Sequence, residues 1–321
     1  MSMAQAQNHV RLGTRGSPMA LWQARWVADA LRRHHPGLST DLVVIRTAGD
    51  RNRREPLPRI GGKGLFVKEI EDALWRQEIE LAVHSMKDVP TTLPPGVHLS
   101  AVPLRDDVRD AFVGRDGHRL LDAPAGWRIG TSSLRRRAQL LARRPDLQVQ
   151  DIRGNVDTRL RKMRQGEVDG VVVAAAGMYR LGLQEEITEL LPIEVMLPAV
   201  GQGALGLETV AGHWIDALLQ ALHDLPTASA VAAERAFLWH LGGGCTVPIA
   251  ALAQCQGAEL HIRGLVSTPD GTRILRQEIC GPMPEAVQLG ERLAVQMRAQ
   301  GASALLATLP DDRLPIPPGG G

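Results

Sequence analysis

The sequence predicts an α/β protein of two lobes with a cleft between them, followed by a smaller α+β domain. Residues 130–159 read as two strand–turn–helix units in a row, and residues 80–83 and 169–175 as further strands, as in parallel sheets with helical crossovers. Two stretches that read as crossovers, residues 103–109 and 197–207, divide this α/β region, and the glycines of the second suit a hinge. From residue 249 the pattern changes to the alternation of antiparallel strands, with Asp270-Gly271 as a hairpin turn. The expected boundaries are 1–103 with 200–222 for the first lobe, 104–199 for the second and 223–321 for the α+β domain.

In chain order, residues 10–14 read as a first strand. Ser17 caps the helix that follows, and Pro18 takes its first position. Leu21, Ala24, Ala28 and Leu31 recur at helical spacing. Residues 41–46 have a continuous apolar centre, which predicts a parallel strand covered on both faces. Residues 47–62 carry Arg51, Arg53, Arg54 and Arg59 without periodicity and read as a loop or lid. Gly61-Gly62-Lys63-Gly64 then opens a helix, and its spacing is not that of a Walker A loop.

His84-Ser85-Met86-Lys87-Asp88 leaves the carboxyl end of the next strand, where open α/β sheets bind ligands. Asp88 suits a proton shuttle or the counterion of a transient cation; the competing reading is an ordinary surface ion pair with Lys87. In the C-terminal part, residues 228–241 form an Ala-rich helix and residues 284–300 an amphipathic one. Between them Gly242-Gly243-Gly244 clears space around Cys245, which reads either as a reactive thiol or as a small buried side chain. Two α/β lobes joined by two crossovers are like those of periplasmic-binding-protein folds, a comparison of architecture alone.

Residues 130–159 concentrate the chemistry. Thr131, Ser132 and Ser133 stand where a strand gives way to a helix, so one of them is the N-cap. Arg135 and Arg136 follow in the first turn, the wrong end of a helix for a cation unless an anion compensates. Arg153-Gly154-Asn155 repeats the device, with Arg159 further along its helix. From Arg109 to Arg164 there are 14 basic against 6 acidic residues, which predicts a site for a ligand bearing several carboxylates or phosphates; a solvated basic helix face is the alternative.

Composition narrows the class. The net charge is only +2 and aromatics are 3%, too few to interleave nucleobases along a basic groove. Three cysteines without metal-ligand spacing predict no disulfide framework and no metal site. No segment reads as a secretory signal or a membrane span, so a cytoplasmic protein is expected. Lysine is rare beside arginine, which gives weight to Lys63 and Lys87.

Taken together, the motifs resemble porphobilinogen deaminase, also called hydroxymethylbilane synthase, over nearly the whole chain. They are Thr14-Arg15-Gly16-Ser17-Pro18, Gly61-Gly62-Lys63-Gly64-Leu65-Phe66, His84-Ser85-Met86-Lys87-Asp88-Val89-Pro90 and Gly130-Thr131-Ser132-Ser133-Leu134-Arg135-Arg136. Arg153-Gly154-Asn155, Leu197-Pro198-Ala199-Val200-Gly201-Gln202-Gly203 and Gly243-Gly244-Cys245 complete the set. The resemblance implies a transferase that adds four porphobilinogens head to tail, each losing ammonia, to a dipyrromethane cofactor held by Cys245 through a thioether, and then releases hydroxymethylbilane. It implies catalysis by Asp88 and Lys87. It implies cofactor contacts from Cys245, Asp88, Lys87, Ser85, Thr131, Ser132, Ser133, Arg135, Arg136, Arg153 and Gly154. Substrate contacts would come from Arg15, Ser17, Lys63, Arg153, Asn155, Arg159, Arg180 and Gln202. The many acetate and propionate groups of a growing pyrrole chain account for cations at helix starts.

The expected partner is a small molecule, with neither nucleic acid nor membrane, and the expected state is a monomer. The rival reading is a non-catalytic receptor for a polycarboxylate anion; it predicts an unmodified polypeptide, whereas the enzyme reading predicts extra mass on Cys245.

Overall fold

The computed structural model describes residues 8–51, 67–243 and 247–307. Lys63 and Cys245 lie outside the described residues, as does the predicted loop from residue 52 onward. The chain begins with β1 (His9–Thr14), α1 (Pro18–His34), β2 (Ser39–Val44), α2 (Lys68–Trp75), β3 (Leu81–Ser85) and β4 (Val97–Ala101). Next come β5 (Asp110–Gly114), β6 (Arg128–Gly130), α3 (Leu134–Arg143), β7 (Gln148–Gln150), α4 (Val156–Arg164), β8 (Gly170–Ala174), α5 (Ala175–Arg180) and β9 (Glu189–Leu191). After β10 (Leu205–Val210) and α6 (Ile215–Leu219), the chain continues through α7 (Leu225–His240), β11 (Ile249–Gln256), β12 (Glu259–Ser267), β13 (Ile274–Pro282), α8 (Ala286–Ala299) and α9 (Ala302–Leu306). Two compact units result: Met1–Arg105 with Ala204–Ala228, and Asp106–Gly203 with Ser229–Gly321.

The first unit holds a five-stranded sheet in the order β2-β1-β3-β10-β4. β1 pairs parallel with β2 and β3, and β10 pairs antiparallel with both β3 and β4. The second unit repeats the plan in the order β7-β6-β8-β5-β9, with β6 parallel to β7 and β8 and β5 antiparallel to β8 and β9. In each sheet three parallel strands meet a fourth that enters from a crossover in the opposite sense. This is the periplasmic-binding-protein plan that the alternation of strands and helices led us to expect.

Local sequence explains the elements. Ser17 caps α1 by accepting from the Ala20 amide at 3.2 Å, Pro18 stands inside the first turn, and Arg32, Arg33 and His34 face the negative end of the helix. Ala24, Val27, Ala28 and Leu31 bury one face against Val10, Leu12, Leu81 and Val83. On the other face of the sheet, Ile70, Ala73 and Leu74 of α2 pack on Ala82 of β3. β2 is the edge strand of the sheet among the described residues and pairs with β1 alone. Leu42 packs on the α1 side and Val43 on the α2 side, but Val44 is left 52% exposed, so the predicted cover on both faces is only partial. β5 and β8, by contrast, are buried along their whole length at the heart of the second sheet.

The C-terminal region forms the expected antiparallel sheet, β11-β12-β13. One face packs on α7, α8 and α9 through Phe237, Leu293 and Leu305. Its other face meets Leu197 of the second unit through Ala250, Leu252 and Leu265. The predicted Asp270-Gly271 hairpin is present: Asp270 accepts hydrogen bonds from the Thr268 and Thr272 hydroxyls, and Gly271 has φ +71°. A Cβ at Gly271 would stand 2.1 Å from the Ala138 carbonyl oxygen, so no larger residue fits that turn. Among the described residues no helix is long and apolar enough to cross a membrane.

Candidate active site

In the first unit, the predicted residues gather where the parallel strands β1 and β3 end. Arg15 and Ser17 follow β1 and are half-buried. Ser85 ends β3, and its hydroxyl exchanges hydrogen bonds with the Gln23 amide of α1 at 2.8 and 3.1 Å. Lys87 and Asp88, both half-buried, occupy the 3-10 turn Met86–Asp88. That turn is pinned at each end: the Met86 amide donates to the Ala204 carbonyl at 3.0 Å, and the Val89 amide to the Met86 carbonyl at 3.1 Å. The backbone thus presents an ammonium and a carboxylate side by side at the end of a buried strand.

In the second unit, the predicted residues cluster at the ends of β6, β7 and β8, three neighbouring parallel strands. Ser133 is the N-cap of α3 and accepts from the Arg136 amide at 3.4 Å. Thr131, fully buried, accepts from the Ser133 amide at 3.2 Å, while the Ser132 hydroxyl donates to the Ile152 carbonyl at 2.8 Å. Asn155 caps α4 by accepting from the Thr158 amide at 3.2 Å and its hydroxyl at 2.7 Å. Gly154 has φ +114°, and a Cβ there would approach Thr158 Cγ2 to 2.5 Å. The Arg153-Gly154-Asn155 turn therefore requires glycine at its centre.

Arg135 and Arg136, expected at an anionic ligand, also have an internal counterion, Asp110, at the head of β5. Arg135 Nη1 donates to Asp110 Oδ2 at 2.7 Å and to the Leu197 carbonyl at 2.8 Å. Arg136 donates to Asp110 Oδ1 at 2.7 Å through Nη2 and to the Val172 carbonyl at 3.0 Å through Nη1. Gln202 Nε2 adds a third donor to Asp110 Oδ1 at 2.9 Å. Burial opposes ionisation of Asp110, but the two guanidinium charges prevail and hold its carboxyl far below the usual carboxylate range. Arg180 is likewise buried and paired, donating to Asp106 Oδ2 at 2.8 Å and to the Gly203 carbonyl at 2.7 Å.

Arg159 is different. Its Nε donates to the Gly154 carbonyl at 2.9 Å, and among the described residues no carboxylate pairs with it. Burial, reinforced by the Arg136 charge, draws its guanidinium down to about 10. A half-buried guanidinium without an acid beside it suits an anionic group. Arg135 Nε is buried and, among the described residues, without a hydrogen-bond partner. These donors, with the hydroxyls and amides at the starts of α3 and α4, fit a group carrying several carboxylates.

Sequence reasoning missed Asp110. The available signal was a carboxylate at the head of an otherwise apolar strand, immediately after a crossover; such a residue must find a cation when buried.

Two repeated α/β lobes, each with arginines and hydroxyls at its strand ends, suit an anionic ligand. Residues 10–229 match the family description "Porphobilinogen deaminase, dipyromethane cofactor binding domain", and residues 228–299 match "Porphobilinogen deaminase, C-terminal domain". Among proteins named porphobilinogen deaminase, that of Syntrophotalea carbinolica is 52% identical over 311 residues, covering 96% of this chain and 98% of its own. That of Geobacter metallireducens is 50% identical over 303 residues, covering 94% and 95%. That of Acidithiobacillus ferrooxidans is 50% identical over 298 residues, covering 92% and 97%. The chain belongs to the porphobilinogen deaminase family. It is a transferase of tetrapyrrole synthesis that uses a dipyrromethane cofactor, and the receptor reading is set aside.

Proposed function

We propose that the chain joins four porphobilinogen molecules head to tail, with loss of ammonia, and releases hydroxymethylbilane, using the residues described above. When bound, the dipyrromethane cofactor supplies the pyrrole end to which new rings are joined. Cys245 holds it by a thioether. Ser85, Lys87, Thr131, Ser132, Ser133, Arg135, Arg136, Arg153 and Gly154 bind its carboxylates, and Asp110 holds Arg135 and Arg136 in place for this at the start of α3. Arg15, Ser17, Lys63, Arg153, Asn155, Arg159, Arg180 and Gln202 serve the incoming substrate. Asp88 accepts hydrogen bonds from pyrrole N–H groups, balances the cation that forms as ammonia leaves, and moves a proton. Lys87 beside it neutralises substrate carboxylate.

The observation that carries this division of labour is Arg159, half-buried and without an acid among the described residues. Arg159→Leu is expected to raise KM or slow elongation while leaving thermal stability equal or higher, because the folded state loses a desolvated cation. A variant with unchanged kinetics and lowered stability would remove Arg159 from the site.

Three further readings belong to the proposal. The domains run 1–103 with 200–222, 104–199 and 223–321, supported by the insertion of β10 between β3 and β4. The protein works as a monomer in the cytoplasm. It binds no nucleic acid, in keeping with its net charge of +2 and aromatic content of 3%.

Mass spectrometry of the intact, denatured protein tests the attachment. The wild type is expected to exceed its polypeptide mass by two linked pyrrole units, and Cys245→Ser to lack them. A wild-type protein of bare polypeptide mass, purified from cells that make porphobilinogen, would overturn the covalent reading.

A further inference from the structure

Beneath the turn that carries Lys87 and Asp88 lies a second titratable cluster, buried in the first unit. His84 of β3 places Nε2 2.9 Å from Glu208 Oε2 of β10, with side-chain exposures of 4% and 0%. The two strands are antiparallel neighbours, and both residues share the sheet face that α2 covers. Among the described residues, Glu208 Oε1 is buried without a hydrogen-bond partner. Glu71, buried on α2, faces the same pair. Two carboxylates and one imidazole in a dry site carry one negative charge too many unless a proton remains on an acid.

We propose that Glu71 and Glu208 are positioning residues for the Lys87–Asp88 turn, acting through His84, with Glu71 holding the proton. Neutral Glu71 adds no second negative charge beside Glu208, whose charge it feels. His84, fixed by Glu208, stands two residues before Met86 and four before Asp88 in a rigid strand end. α2 is thereby tied to the strand that delivers the catalytic carboxylate. The proposal rests on the role assigned to Asp88.

Burial, and after it the charge of Glu208, pushes the Glu71 carboxyl up to about 7, against the opposing pull of His84. The other groups facing it among the described residues are few. Asp72 on its own helix adds a weaker push, and Arg11 of β1, which α2 also touches, is spent on Glu80. Because the folded value lies above the ordinary 4.5, the stability that this proton confers is complete below pH 4.5 and is lost as pH rises through about 7. Above that, a second negative charge enters the site and loosens the strand end.

Glu71→Gln and Glu208→Gln, measured as holoenzymes across pH 5–8, test this. In the wild type, kcat should fall about tenfold between pH 6 and pH 8 as Glu71 ionises, while Tm should fall from pH 5 to about pH 7 and level off above it. Glu71→Gln, which mimics the protonated acid, should keep kcat within about twofold at pH 6 and flatten both falls. Glu208→Gln should move them to lower pH, because the charge that retains the Glu71 proton is gone. Parallel pH profiles for wild type and Glu71→Gln would overturn the proposal, as would a Glu71→Gln protein that cannot fold. The Tm arm needs no turnover. A wild type that fails to condense porphobilinogen would therefore defeat the proposed reaction separately from this cluster.

Discussion

Asp88→Asn is expected to keep the fold and the Tm of the wild type while lowering kcat by about 10²–10³, the usual cost of removing one group aimed at developing charge. The amide has the shape of the carboxylate and can still meet a pyrrole N–H through its oxygen. It cannot balance the cation formed as ammonia departs, and it has no proton to exchange near neutral pH. The pinned 3-10 turn matters to this expectation. Met86 is tied to Ala204 and Val89 to Met86, so the substitution meets a backbone held by bonds it does not touch. Ammonia release in a single turnover, followed beside thermal unfolding, reads both effects. Turnover within a few-fold of the wild type would remove Asp88 from the chemistry.

Asp110→Ala is expected to be the most damaging single change to stability, at about 3–5 kcal/mol, because it leaves two buried guanidinium groups without their counterion. Arg135 and Arg136 are 4% and 6% exposed, so water cannot replace the lost carboxylate. The same residue fixes a pH dependence. Its folded value is depressed below 3.8, so the stability it confers is present above about pH 4 and is lost as acid protonates it on the way to unfolding. Urea unfolding at pH 7 should show the full loss in Asp110→Ala, and the gap to wild type should narrow toward pH 3. A cost below about 1 kcal/mol at pH 7 would mean that the two arginines find other partners.

Much of this architecture was legible in the residues. Ser17 caps the helix it was expected to cap and Ser133 proves to be the cap among the three candidates, while Asn155 caps α4, since capping is a local transaction between a side chain and amides two or three residues on. Asp270-Gly271 likewise makes its turn from its own neighbours. What escaped was non-local. The apolar centre of β2 could not reveal that the strand sits at the sheet edge, because sheet order depends on partners far along the chain. Asp110 meets Arg135 and Arg136 across about 25 residues, and His84 meets Glu208 across 124. No spacing rule links such pairs. Asp110 is thus an internal partner for Arg135 and Arg136 that the basic run around them does not announce. Arg159 has no internal acid paired with it among the described residues.

The strand order has a consequence for the order of events during synthesis. All five strands of the second sheet lie between residues 110 and 191, so a ribosome has delivered that sheet whole before it reaches β10. The first sheet, although its opening strand emerges earliest, keeps a gap between β3 and β4 until Leu205–Val210 arrives to fill it. The nascent N-terminal lobe is therefore an incomplete sheet with two open edges, held in waiting while a later-born neighbour closes first.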